Sequence, residues 1–254
     1  MKTLQIDINC DMGESFGNYK IGNDEEIMPY ISSANIACGF HGGDPFHIEQ
    51  TIKNALKYGI SIGAHPSYPD LQGFGRRKMT IKNAELKAIL KYQIAAVKGL
   101  VESYGGTLKY VKPHGALYNT AANDANETYV ILEAIDEIDP KILLMGMAGS
   151  ITEEVAKKEN IPYVAEAFAD RSYTENGRLM SRQKNGSVLY KPNEIVEQVL
   201  SIILEKKVKT QTGKLINLTA QSICIHGDNP NVIEILKGIN DALNLKNILK
   251  KSFA

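Results

Sequence analysis

Short apolar runs alternate along the chain with longer segments in which apolar residues recur at helical spacing. The short runs predict seven β-strands. They lie near residues 4–10, 33–38, 60–65, 107–113, 142–146, 163–167 and 222–227. Strands separated by helical segments form parallel sheets, because the chain must cross back over the sheet before each new strand. The pattern therefore predicts an α/β fold.

Two segments between the strands predict clear amphipathic helices. Residues 80–106 place apolar side chains on one face, with Thr80 as a candidate N-cap and Gly105 as the stop. Residues 191–207 begin with Pro192, which suits the first turn of a helix. The chain has no internal repeat and no proline-rich linker, so we expect residues 1–254 to form one domain.

The strands have one apolar and one polar face. In the first strand Ile6, Ile8 and Cys10 share one parity, whereas Asn9 and Asp11 share the other. The segments SIGAH, YVKPH, VAEAFAD and SICIHGD also alternate. A surface strand of an antiparallel sheet would show the same alternation, but the intervening helices favour a closed barrel with a polar lumen. Such a lumen is costly unless it binds a ligand or is fully hydrogen-bonded.

Four of the five histidines follow predicted strands in loops rich in glycine or proline. They are His41, His65, His114 and His226. A single buried histidine is more often structural, but four in equivalent positions predict a site, because catalytic groups of β/α barrels collect at the carboxyl ends of the strands. His47 lies inside a helical segment, and we expect it to be structural.

Carboxylates occupy matching positions, and together with the histidines they form the predicted catalytic set. They are Asp11, Glu14, Glu166, Asp170 and Asp228. Hydrolysis of an unactivated bond needs a base for water and an acid for the leaving atom, and carboxylates and imidazoles can be tuned to both tasks. Asp44 and Asp70 are better explained as turn or cap residues.

Cationic and polar residues in the same motifs are candidates for binding an acidic substrate. The predicted substrate-binding set is Asn9, Arg76, Arg77, Tyr118 and Arg171. A guanidinium binds a carboxylate through two parallel hydrogen bonds. Exposure to solvent is an equally good explanation for Arg76 and Arg77, but not for Lys112, which lies within a strand and joins the catalytic set.

Cofactor motifs are weak in this sequence. Asp11, His65 and His114 supply a carboxylate and two imidazoles that could hold a divalent metal, although no closely spaced histidine motif supports the site. No GxxxxGK[ST] or GxGxxG motif is present, so the sequence does not indicate where ATP would bind.

Charge and cysteine content restrict the expected partners and compartment. The 29 basic and 29 acidic residues cancel, which argues against a nucleic-acid or membrane partner. No apolar run is long enough for a signal peptide or membrane span, so we expect a cytoplasmic protein. Cys10, Cys38 and Cys224 are odd in number and far apart, which predicts buried free thiols rather than disulfides.

Six motifs resemble the LamB/YcsF family across nearly the whole chain. They are DINCDMGESFGNYKIGND, ISSANIACGFHGGDP, GAHPSYPDLQGFGRR, VKPHGALYN, AEAFADRSY and SICIHGDNP. The resemblance implies an irregular seven-stranded β/α barrel of the glycoside hydrolase and deacetylase type. It also implies hydrolysis of 5-oxo-L-proline to L-glutamate, coupled to hydrolysis of ATP as co-substrate, by a 5-oxoprolinase that has partner subunits B and C. The sequence does not decide whether the chain also forms a homo-oligomer.

With this reaction as the expectation, Asp11 is a base or ligand for the attacking water, and His65 and His114 polarise water or the carbonyl. Lys112 stabilises the developing negative charge. Proton transfer and substrate orientation are completed by Glu166, Asp170, Arg171, His226 and Asp228. Two alternatives stay open. One is a metal-dependent deacetylase acting on amides or carbohydrates, and the other is a non-catalytic substrate-binding subunit.

Overall fold

The computed structural model describes residues 4–227 and 229–254 and contains a closed barrel of parallel strands. The strands of these residues, in chain order, are β1 (Gln5–Met12), β2 (Ser33–Ala37), β3 (Ser61–His65), β4 (Leu108–Val111), β5 (Leu143–Met147), β6 (Tyr163–Phe168), β7 (Lys207–Lys209), β8 (Leu215–Asn217), β9 (Ser222–Ile225) and β10 (Leu249–Lys250). The barrel runs from β1 through β6 to β9, which closes it by pairing with β1. The predicted seven-stranded β/α barrel is confirmed.

Helices connect the strands and cover the outside of the barrel. In chain order they are α1 (Asp24–Ile27), α2 (Pro45–Lys57), α3 (Asn83–Ser103), α4 (Gly115–Ala121), α5 (Ala125–Asp136), α6 (Ile151–Lys158), α7 (Pro192–Leu200) and α8 (Val232–Leu245). A 3-10 turn (Met28–Tyr30) follows α1, and a π-helical turn (Ser201–Glu205) follows α7. In the described part of the chain, no helix combines the length and apolarity needed to cross a membrane.

The two predicted amphipathic helices are present, with one correction at an N-terminus. Pro192 is the first residue of α7, as predicted. Thr80 is not the N-cap of α3, which begins at Asn83. The preceding Met79 and Ile81 pack against the apolar core before the helix begins, so they hold this segment out of the first turn. Gly105, with φ of +75°, follows the C-terminus of the helix and ends it, as predicted.

The two faces of β1 separate the apolar shell from a polar lumen. Ile6, Ile8 and Cys10 are buried in the core beneath the covering helices. On the other face, Asn9 Oδ1 accepts a hydrogen bond of 3.3 Å from Lys112 Nζ, which follows β4. Because β1 and β4 are not neighbours in the barrel, these side chains meet across its interior. The alternation therefore predicted the polar lumen correctly.

An apolar plug closes the amino-terminal end of the lumen. Tyr110, Met145 and Val164 cluster there with Phe253, whose ring centroid lies 5.2 Å from that of Tyr110. Gly63 on the adjacent β3 has no side chain at this level, and a Cβ atom there would overlap the Tyr110 ring. The plug fills the lumen at this level, whereas the cavity of the protein is lined by residues at the carboxyl ends of the strands.

A long insertion separates β6 from the last barrel strand. It spans residues 169–221 and contains α7 and an antiparallel hairpin of β7 and β8. Neither this hairpin nor β10, which pairs with the start of β1, was predicted. Strands of two or three residues are too short to show an alternating pattern.

Candidate active site

A cavity of about 830 Å³ opens at the carboxyl ends of the barrel strands. Eight of the predicted site residues line it, namely Asp11, His65, Arg76, Lys112, His114, Tyr118, Arg171 and His226. They come from the ends of β1 and β3, from the loops that follow β3, β4, β6 and β9, and, for Tyr118, from helix α4. The parallel strands bring these residues together because their carboxyl ends all lie at one edge of the barrel.

Lys112 is the buried cation at the centre of the floor. Its Nζ lies 2.9 Å from Asp11 Oδ1, 2.8 Å from Glu166 Oε1 and 3.1 Å from Cys224 Sγ. Burial alone would lower the pKa of Lys112, but Asp11 and the other anionic neighbours raise it well above its ordinary value. Lys112 therefore stays charged and compensates two buried carboxylates.

Asp11 is held in its ionised form. Burial would raise the pKa of this carboxyl, but the electrostatic interactions with His65 and Lys112 hold it well below the ordinary value. Asn35 Nδ2 also donates a hydrogen bond of 2.7 Å to Asp11 Oδ1. Asp11 Oδ2 lies 3.4 Å from His65 Nε2. A carboxylate beside an imidazole at the cavity floor can orient water and accept a proton from it.

His65 and His114 point two nitrogens at each other. His65 Nδ1 lies 2.6 Å from the Lys112 carbonyl oxygen, and His114 Nε2 lies 2.9 Å from that of Phe74. A carbonyl oxygen only accepts, so each of these nitrogens carries the hydrogen. The remaining nitrogens, His65 Nε2 and His114 Nδ1, are 3.0 Å apart. If both rings are neutral, two lone pairs face each other, and a proton or a cation between them would relieve the repulsion.

Glu14 and His41 complete a buried cluster around this pair. Glu14 Oε1 lies 3.1 Å from His41 Nε2 and 3.7 Å from His114 Nδ1, and the rings of His41 and His114 stack at 3.6 Å. Burial, followed by the charges of neighbouring histidines, lowers the pKa of both His41 and His114 well below the ordinary value. Neutral imidazoles are the form that accepts protons or binds metal ions.

The cluster has the donor set of a metal site. Glu14, His41, His65 and His114 each offer one ligand atom, and all four atoms lie within 4.8 Å of one another. The backbone hydrogen bonds of His65 and His114 are of the kind that orients metal-binding histidines. His41 Nδ1 is buried with no hydrogen-bond partner in the described part of the chain. Three imidazoles and a carboxylate suit Zn²⁺ or a similar ion.

The metal set predicted from sequence lies side by side, since His65 Nε2 is 3.4 Å from Asp11 Oδ2 and 3.0 Å from His114 Nδ1, but the four-residue donor cluster does not include Asp11. His65 and His114 belong to the four-residue cluster, but their companions there are Glu14 and His41. Asp11 instead groups with Cys224 and His226. The sequence pointed to Asp11 because it is a carboxylate on the first strand, whereas the approach of Glu14 depends on the loop after β1.

His226, which follows β9 beside β1, forms a second carboxylate–imidazole pair. Its Nδ1 lies 2.8 Å from Asp170 Oδ1, and its ring stacks on Phe168 at 5.7 Å. Burial would raise the pKa of Asp170, but the charge and hydrogen bonds of His226 lower it below the ordinary value. The contact fixes the imidazole with its other nitrogen available to the cavity.

The remaining predicted residues do not line the cavity. Some lie behind its wall, Arg77 is turned towards another partner, and one lies outside the described residues. Asn9 and Glu166 lie beneath the floor, where Asn9 Nδ2 donates to Glu166 Oε1 at 2.9 Å and Tyr118 Oη donates to Glu166 Oε2 at 2.7 Å. Arg77 does not line the cavity, because its guanidinium binds Asp70. Asp228 lies outside the described residues.

Sequence reasoning missed three cationic residues of the cavity rim, which are Lys78, Arg178 and Arg182. The two arginines belong to the insertion after β6, where no strand or helix pattern ties them to the barrel. The only signal was the density of basic residues in RLMSRQK. The expectations for the cysteines hold, since all three are buried and free.

The fold and the site define a β/α-barrel protein with a buried carboxylate, lysine and histidine cluster at the carboxyl ends of its strands. Residues 6–254 match the model of the LamB/YcsF family, and the chain belongs to that family. It is 47% identical over 250 residues to the 5-oxoprolinase A-subunit of Acinetobacter baylyi, with 98% of each chain covered. The 5-oxoprolinase A-subunit of Bacillus cereus is 45% identical over 244 residues and 96% of each chain.

Solved structures agree with this assignment. The chain is similar to the lactam utilization protein of Thermus thermophilus, with a TM-score of 0.92 and 39% identity over 98% of this chain and 100% of that one. A family 4 carbohydrate esterase of Streptomyces lividans has a TM-score of 0.52 at 12% identity, over 98% and 93% of the two chains. The second likeness concerns the fold alone.

Proposed function

We propose that this chain is the hydrolytic A-subunit of an ATP-dependent 5-oxoprolinase. The complete reaction converts 5-oxo-L-proline, two molecules of water and ATP to L-glutamate, ADP and phosphate. The observation that carries the proposal is the near-full-length similarity to proteins named as the A-subunit of 5-oxoprolinase. The cavity supports it, because its floor combines an ionised carboxylate, a buried cation and imidazoles, which are groups that hydrolysis of an amide requires.

The substrate carries one carboxylate and one lactam, and the cavity offers partners for both. Arg76 lines the wall and suits the carboxylate. Lys112 lies at the floor, where a lactam oxygen would acquire negative charge as water adds to its carbon. A buried ammonium ion stabilises such a charge more strongly than water does.

The proton transfers follow from the two carboxylate–imidazole pairs. Asp11, which is ionised, would orient the attacking water and remove its proton. His226, fixed by Asp170, would donate a proton to the leaving lactam nitrogen. Glu166 would hold Lys112 and Tyr118 in place. The two pairs are separate groups within one cavity, so one can accept a proton while the other donates one.

Glu14, His41, His65 and His114 are the residues that would hold a divalent metal. A bound ion would polarise a carbonyl or lower the pKa of water. We expect the purified protein to contain about one equivalent of transition metal, and chelation to lower its melting temperature. The His65→Ala variant should lose the metal, whereas His47→Ala, on the outer helix α2, should retain it. A metal-free native protein whose melting temperature does not respond to added Zn²⁺ would contradict this assignment.

ATP handling is assigned to the partner subunits B and C, because this chain has no recognisable phosphate-binding loop. The test is to measure glutamate formed from 5-oxo-L-proline and ATP by this chain alone, by subunits B and C alone, and by all three together. We expect turnover only in the mixture. No turnover in a complex whose assembly is verified by size would refute the proposal.

The histidine–glutamate cluster supports a second candidate, a metal-dependent deacetylase of amides or carbohydrates. Chelator-sensitive release of acetate by the isolated chain would favour it over the lactam reaction. A non-catalytic substrate-binding subunit is the third candidate. It predicts that substitutions at Asp11 weaken binding of 5-oxo-L-proline in proportion to the loss of turnover, whereas a catalytic Asp11 predicts lost turnover with nearly normal binding.

A further inference from the structure

The loop that follows β6 places three arginines on one wall of the cavity. The loop folds back on itself, since Ser172 N donates to Ser187 O at 3.1 Å and Met180 N donates to Ser172 O at 2.9 Å. Arg171, Arg178 and Arg182 of this loop all line the cavity. A segment built outside the barrel thus brings its charge to the entrance of the site.

Two of these guanidiniums are held by neutral acceptors. Arg171 donates to Ser187 O at 3.1 Å and to Met180 O at 2.6 Å. Arg178 donates to Asn123 Oδ1 at 3.1 Å and to Gly149 O at 2.8 Å. These contacts fix the orientation of the side chains without neutralising them. A cation that is buried, as Arg171 is, without a paired carboxylate is costly unless an anion joins it.

The charges around the cavity do not balance. Its described lining contains six cationic side chains and two carboxylates. Of these two, Asp11 is paired with Lys112, and Asp124 caps α5 by accepting from Asn126 N at 2.9 Å. Arg182 forms no ion pair with any carboxylate of residues 4–227 or 229–254. The carboxylates of Glu166 and Asp170, which lie behind the lining, offset part of this excess, but the wall formed by Arg171, Arg178 and Arg182 contributes no described carboxylate to the cavity lining.

We propose that Arg171, Arg178 and Arg182 form a subsite for a phosphoryl group, separate from the floor on which the lactam is opened. Guanidinium groups match the oxygen spacing of phosphate, and a dianion compensates more of the excess charge than a carboxylate does. The phosphoryl group would arrive either on an activated substrate or as free phosphate. The proposal deepens the proposed function by naming a ligand class for the same cavity, but its binding test does not depend on turnover.

The test is calorimetric titration of inorganic phosphate into the full chain at constant ionic strength. Native protein should bind phosphate, and Arg182→Gln should weaken binding about tenfold, because one charged hydrogen bond is lost. The matched control is Lys184→Gln, an exposed residue of the same loop that does not line the cavity, and it should change the affinity less than about twofold. Absent binding in the native protein, or equal losses in the two variants, would overturn the subsite.

A competition experiment separates this subsite from the lactam site. Phosphate and 5-oxo-L-proline should bind together, and strict mutual exclusion would overturn the proposal. Binding of phosphate without binding of 5-oxo-L-proline would leave the subsite standing and count against the proposed substrate. In the three-subunit complex, the number of glutamate molecules formed per ATP cleaved can be compared between the native chain and Arg182→Gln. A lower ratio in the variant would indicate a phosphorylated substrate. An unchanged ratio with weaker inhibition by added phosphate would indicate free phosphate.

Discussion

Replacing Lys112 with methionine tests the central ion cluster directly. The side chain of Lys112 is only 2% exposed and contacts both Asp11 and Glu166. Methionine preserves most of the volume but leaves two buried carboxylates without their cation. Removing one partner of a buried ion pair costs about 3–5 kcal/mol, so we expect a loss of that size in the free energy of unfolding at pH 7.5.

The loss should depend on pH with a definite sign. In the native protein the pKa of Asp11 is below its unfolded value, so Asp11 contributes stability above about pH 4 that is lost as the pH falls further. Without Lys112 the pKa of Asp11 should rise above the unfolded value. The folded variant would then bind more protons than its unfolded chain and lose stability as the pH rises above about 4. The cost of the substitution should therefore be smaller at pH 5 than at pH 7.5.

Urea unfolding followed by far-ultraviolet circular dichroism gives the measurement, since the chain has no tryptophan. Lys109→Met is the matched control, because Lys109 lies on β4, which ends immediately before Lys112, and is exposed. It should change the stability by less than about 0.5 kcal/mol. The reasoning is refuted if Lys112→Met costs no more than this control, or if its cost is the same at both pH values.

Three further substitutions probe other parts of the molecule. Asp11→Asn should reduce glutamate formation by the reconstituted complex at least about 100-fold with an unchanged circular dichroism spectrum, and near-native turnover would exclude the catalytic role. Gly63→Ala should cost about 1–3 kcal/mol in urea unfolding, because the new methyl group overlaps Tyr110 in the plug. Burial raises the pKa of Asp7 to about 6, so its ionisation should destabilise the native protein as the pH rises from about 4 to 6. Asp7→Asn should remove up to about 3 kcal/mol of that decline, and an unchanged pH profile of stability would contradict the assignment.

The barrel could be predicted from the sequence because its lumen is polar, so that polar and apolar residues alternate along each strand. Asn9 and Asp11 alternate with Ile8 and Cys10, and this period of two is visible without any knowledge of partners. The position of His65 at the end of β3 was equally predictable, since it depends only on where one strand ends. Features set by local periodicity were therefore predictable.

Features set by distant contacts were not predictable in this way. Glu14 reaches His41 through the paths of two loops, and no pattern in either loop specifies that approach. Arg77 stood beside Arg76 in sequence, yet its guanidinium pairs with Asp70, and only Arg76 lines the cavity. Phe253 lies far along the chain from Tyr110, which it contacts in the plug. Loop geometry decides these contacts, and it depends on the finished fold.

The closure of the barrel has a consequence for the order of synthesis. β1 pairs with β9 and β10, which are translated about 210 or more residues after it. At about 5–20 residues per second, the first strand therefore waits roughly 10–40 s for these neighbours. During that interval one edge of β1 and its row of polar side chains have no final partners, so the growing chain exposes a pairing edge. A nascent-chain chaperone that covers this edge should raise the yield of folded protein.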